Sequence, residues 1–178
     1  MCPIFLQDGE HGIGLGYEDF KQRFQAICEE HLQEKRATAF AFIFCDFEQG
    51  VTAATLHGDH GFKVLNEASG DMMTVFYLHL CAREAAAHSF NAHFLQALGV
   101  AEQVEPPCIV CFRVQDGTVE DVALHPIDER SGDPVLVLEQ MRRQIKNYLS
   151  EMKKQGDLSA LSVLRNLLPV ARLFRSQP

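Results

Sequence analysis

Apolar residues along this chain recur with two periods, one near 3.6 and one near 2, and the switches between them mark out elements. Between Tyr17 and Lys35, residues Phe20, Phe24, Ile27, Cys28, His31 and Leu32 recur at helical spacing and predict a helix. Acidic residues near its start suit the helix dipole. Ala37–Phe47 (ATAFAFIFCDF) is rich in strand formers and apolar at nearly every position. That pattern predicts a central strand covered on both faces. The stretch 49–61 is mixed and reads as a loop, with His57-Gly-Asp-His-Gly61 inside it. A short helix is expected over Phe62–Ala68, ended by Ser69-Gly70.

Met72–Leu80 predicts the second strand and Ala82–Leu98 the next helix, with Gly99 as its stop. Cys108–Val114 predicts a third strand. The Asp116-Gly117 turn tolerates positive φ and joins it, as a hairpin, to a fourth strand over Val119–His125. Asp133-Pro134 then reads as a cap with proline at the first helical position. The helix it opens carries Leu138, Met141, Ile145, Leu149 and Met152 along one face and ends at Gly156. Asp157–Phe174 again shows leucines at helical spacing, interrupted or kinked by Pro169. One domain is expected over residues 1–156, followed by a basic amphipathic extension over 157–178.

Composition adds a core and removes several classes. The 178 residues are 47% hydrophobic and 22% charged, ample for one packed domain. No apolar run approaches the ~20 residues that span a bilayer. The N-terminal MCPIFLQDGEHG lacks the basic and long apolar regions of a secretory signal. Six scattered cysteines, most in apolar surroundings, read as reduced thiols of a cytoplasmic protein. The Gly-rich DGEHGIGLG follows no long strand and spaces its glycines wrongly for a dinucleotide fingerprint.

Charge is unevenly placed. The net charge is −8, yet residues 142–178 hold eight Lys/Arg against two acids, a net of +6, and residues 1–141 carry −14. The body's acidity, and a basic segment with no aromatic but Phe174 and Tyr148, count against nucleic acid. The basic end reads either as a helix docked on its own acidic body or as a contact surface for a protein partner or a second subunit. An anionic membrane surface is the third reading. Lys153, Lys154, Arg165, Arg172 and Arg175 are its candidate contacts.

Helices alternating with two strands, then a hairpin and a closing helix, give an α/β chain with a mixed sheet flanked by helices. In this order, and in Pro106-Pro107 standing directly before CIVCFRV and the QDG turn, the chain resembles the thioredoxin-like superfamily over roughly residues 17–154. The resemblance implies that Pro107 takes that superfamily's cis-proline position. Redox-active members carry C-x-x-C after the first core strand, where a helix N-terminus stabilises the thiolate. Here that place falls within 46–61, which contains no cysteine.

The C-x-x-C that is present, Cys108 to Cys111, lies on a strand. Side chains three apart on a strand point to opposite faces, so the pair reads as two core residues. Cys108 alone, beside Pro107, or Cys45 near the end of its strand could serve a single-thiol enzyme in glutathione- or peroxide-linked chemistry. Asp46 and Glu48 would oppose the Cys45 thiolate. His57, Asp59 and His60 form a weak zinc candidate set against a plain solvated loop. The function expected is a redox-inactive thioredoxin-like module that binds another protein, with no cofactor, through Pro107 and the basic end.

Overall fold

A computed structural model describes residues 2–4, 24, 26–27, 29–31, 33–34, 39–45, 50–78, 84–115, 118–156 and 168–169. In chain order its elements are strand β1 (Cys2–Ile4), helix α1 (helical residues within 24–33), β2 (Ala39–Phe44), α2 (Val51–His57), α3 (Asp59–Ser69), β3 (Met73–Leu78), α4 (Glu84–Ala97), β4 (Cys108–Gln115), β5 (Thr118–Pro126), α5 (Pro134–Gly156) and β6 (Leu168–Pro169).

The sheet runs β1-β3-β2-β4-β5-β6. β1, β3 and β2 are parallel to one another, and β4, β5 and β6 each pair antiparallel with the strand before them in the sheet. β2 is therefore interior, as its unbroken apolar run requires. Alternation along it divides the core in two. Phe40, Phe42 and Phe44 face one side, where Phe24, Phe76, Phe90, Phe94 and Phe112 join them, under α1 and α4. Ala39, Ala41, Ile43 and Cys45 face the other, under α2, α3 and α5. Rings fill the first layer with edge and stacked contacts, such as Phe24–Phe76 at 5.0 Å and Phe42–Phe44 at 4.5 Å. The second layer has small residues on the strand, so helices carrying Leu56, Leu65 and Met141 supply the volume.

Helix ends follow local chemistry. Gly99, at φ 72°, closes α4 with Val100 N–H donating to the Leu95 carbonyl and Gly99 N–H to that of Gln96. Asp133 caps α5 by accepting from Val135 N–H at 2.8 Å. The peptide bond between Pro106 and Pro107 is cis.

Two expectations need correction. Residues 51–57 are helical, not loop. Thr52, Ala53, Thr55 and Leu56 are the buried side of this two-turn helix, and the stripe is hard to see because half of it is threonine. His57, Asp59 and His60 accordingly sit at a helix–helix junction, with Gly58 extended between the two helices at φ −79° and ψ 135°. Second, Leu168 and Pro169 lie in a strand, not a helix, opposite Val119 and Thr118. Proline lacks the N–H a helix needs and biases the preceding residue to extended backbone, which suits an edge strand. The rest of the segment 157–178 lies outside the described residues.

Candidate functional site

Three chain segments meet at one end of the sheet. The end of β2 lies opposite the start of β4, with Phe44 paired to Cys108, and Cys108 in turn opposes Pro126 at the end of β5. The loop after β5 is tied down by Ile127 N–H donating to the Pro107 carbonyl at 2.9 Å. From that loop Glu129 reaches the start of α2, where its Oε1 accepts from Thr52 N–H at 2.6 Å. α2 begins at Gly50, which offers no capping side chain. A carboxylate 77 residues away thus supplies the acceptor that a local cap would have provided.

The loop holding Glu129 has its own internal order. Arg130 donates through Nε to Asp128 Oδ1 at 2.8 Å and through its backbone N–H to the same oxygen at 3.0 Å. These bonds hold the Asp128 carboxyl down at about 2. Asp128 N–H donates to Gln140 Oε1 at 3.1 Å, fastening the loop to α5.

The cysteines do not converge. Cys108 packs with the phenylalanine layer and Cys111 with the opposite one, as alternation on a strand requires. Cys45 packs on the Cys111 side, so it and Cys108 are separated by the sheet. All three are buried, and none forms a disulfide among the described residues. Burial pushes both the Cys108 and Cys111 thiols up to about 12. A thiol in that state is neutral at physiological pH and is a poor nucleophile.

Next to this end lies a cleft of ≈ 640 Å³ between α4 and the loop leading to Pro106. Asn91, 2% exposed, forms part of its wall. Its Nδ2 donates to the Cys45 carbonyl at 2.9 Å, while its Oδ1 is buried with no hydrogen-bond partner among the described residues.

The remaining candidates are spread out. His57 ends α2 and is half-buried, and Asp59 and His60 are exposed in the first turn of α3. Among the described residues no group of three His, Cys, Asp or Glu side chains is placed to hold a metal ion. Lys153 and Lys154 are exposed in the last turn of α5. Arg165, Arg172 and Arg175 lie outside the described residues. Among the described residues no helix is long and apolar enough to cross a membrane.

Sequence reasoning passed over Glu129 and Asn91. Neither sits in a motif, and each acts through a backbone group far away in sequence. Gly50 at a helix start without Ser, Thr, Asp or Asn was the one local sign that a distant acceptor was needed. No family model, no curated protein and no solved structure matches this chain.

Proposed function

We propose that the chain is a thioredoxin-like module without dithiol chemistry, which works in the cytosol by binding another protein. The observation that carries this reading is the end of the sheet described above. The four central strands run β3-β2-β4-β5, parallel for the first pair and antiparallel after it, with Pro107 one residue ahead of β4. In a thioredoxin-like arrangement the start of α2 is where a reactive thiolate would be stabilised. Here residues 46–61 have no cysteine, and the Thr52 N–H is already taken by the Glu129 carboxylate. Burial of Cys45 and Cys108 on opposite faces of the sheet further disfavours thiol chemistry.

What remains at the surface is suited to contact. The contact surfaces we assign are the groove beside the Pro107 turn and the basic end, with Lys153 and Lys154 leading into Arg165, Arg172 and Arg175. The test is affinity capture with quantitative mass spectrometry, using the intact chain and residues 1–156. A defined partner recovered by the intact chain and depleted with the truncation is expected. Recovery of nothing by either would remove the reading.

A further inference from the structure

α5 carries five basic residues against two acids, on a chain whose residues 1–141 hold a net −14. Its buried side packs Val137, Leu138, Met141, Ile145, Tyr148 and Met152 into the core. The opposite side is more than a solvated surface. Among the described residues three large hydrophobic side chains are exposed, and two of them, Val135 at 66% and Leu136 at 57%, open this helix. Leu136, Gln140, Arg143 and Asn147 follow one another at i, i+4, i+7 and i+11, so they form one stripe. With Lys146 they line a cleft of ≈ 570 Å³, whose wall also holds Arg142 and the carboxylates of Asp128 and Glu139, each bound by an arginine.

The cations around this cleft differ in their partners. Arg142 is held by Glu139 at 2.7 Å. Arg143 and Lys146 have no ion-pair partner among the described residues, and feel Glu139 only at longer range. An apolar side chain left in water beside two unpaired cations is complementary to a ligand with the reverse pattern.

We infer that the Leu136, Arg143 and Lys146 face of α5 docks an acidic segment of a protein partner, with an apolar side chain of that segment resting on Leu136. The inference rests on the protein-binding reading above and names the chemistry of the partner. The charge contrast sets the choice. An acidic segment is repelled by the body and attracted along α5, which fixes where it lands.

The probe is a short fluorescein-labelled peptide of glutamates with leucines at helical spacing, followed by fluorescence anisotropy. The intact protein binds it, and binding weakens as salt is added. R143E/K146E loosens it at least about 10-fold, and L136S loosens it as well. K63E, which reverses an exposed lysine of α3 outside both contact surfaces, has a much smaller effect. Thermal melts of all variants stay close to that of the parent, because the altered side chains are exposed. Equal weakening by both charge reversals, or no binding by the intact protein, overturns the inference. So does a protein that instead sediments as a dimer dissolved by R143E/K146E, or one that binds phosphatidylserine vesicles and not the peptide. Because partner capture by the intact chain is measured separately, failure of the peptide alone removes this face and leaves the binding reading standing.

Discussion

The backbone N–H of Thr52 donates to Oε1 of Glu129 at 2.6 Å, across 77 residues of chain. Thr52 is the second residue of α2 and fully buried, and Gly50 cannot cap it. Removing the acceptor would leave a buried N–H without a partner. Glu129→Ala is therefore expected to cost about 0.5–2 kcal/mol, the usual range for a lost helix cap. Glu129→Gln keeps an acceptor oxygen and should cost less. Urea unfolding midpoints of the three proteins check this, and an unchanged Ala variant would refute the capping role.

That bond also marks where the sequence stopped being informative. Elements with strong periodicity were legible: the AFAFIF strand, the Asp133-Pro134 helix start and the Gly99 stop all stand where their residues require. The opposite facing of Cys108 and Cys111 also follows from strand alternation alone. Helix α2 was not legible, because a stripe of threonine and alanine carries little hydrophobic contrast. Leucine spacing points to a helix at Leu168 and Pro169, but proline's missing N–H and its bias on the preceding residue favour the strand found there. Glu129 and Asn91 were beyond reach, since each binds a backbone atom whose position only the folded chain determines.

The buried thiols make an alkaline prediction. Cys108 and Cys111 are pushed from an ordinary value of 9.0 up to about 12. Between those values the unfolded chain has released protons that the folded one still holds. Stability from this source is full below about pH 9. It falls as pH rises toward 12. A stability profile by urea unfolding from pH 7 to the alkaline limit should show this decline. In the native state at neutral pH both thiols should resist iodoacetamide, and in urea both should react. Rapid native labelling of either would contradict their burial and revive the single-thiol reading.

The junction between α2 and α3 depends on one missing side chain. A Cβ placed on Gly61 would lie 2.0 Å from the Thr55 carbonyl oxygen and 3.0 Å from its carbon, both backbone atoms of the preceding helix. Neither can move without shifting α2 as a whole. Gly61→Ala should therefore destabilise by about 1–3 kcal/mol, the range for overpacking a close contact. Gly58, three residues earlier, has its nearest neighbour at 3.6 Å and a φ of −79° that any residue adopts. Gly58→Ala should stay within about 1 kcal/mol of the parent. Equal loss from both substitutions would mean that the junction tightens for some other reason.

On the face of the sheet that α5 covers, Arg113 joins β4 to β5. Its Nε lies 2.8 Å from Asp121 Oδ2 and its guanidinium 3.4 Å from Glu120 Oε2, with each side chain at most 17% exposed. The register between these strands shifts at Cys111/Arg113, and Asp121 takes a φ of 51° there. The irregularity brings two consecutive carboxylates within reach of one guanidinium, and Tyr148 Oη on α5 donates to the Asp121 carbonyl at 2.9 Å. Arg113→Ala removes the cation both carboxylates face, at an expected cost of about 1–3 kcal/mol. The substitutions at Asp121 separate its two roles. Asp121→Ala loses the ion pair and forces a left-handed conformation on alanine, whereas Asp121→Gly loses the ion pair but adopts that backbone freely. Glycine should therefore be the milder change by roughly 1 kcal/mol. Urea unfolding of the Ala and Gly variants measures that difference, and a Gly variant less stable than the Ala one would show that the backbone conformation contributes nothing here.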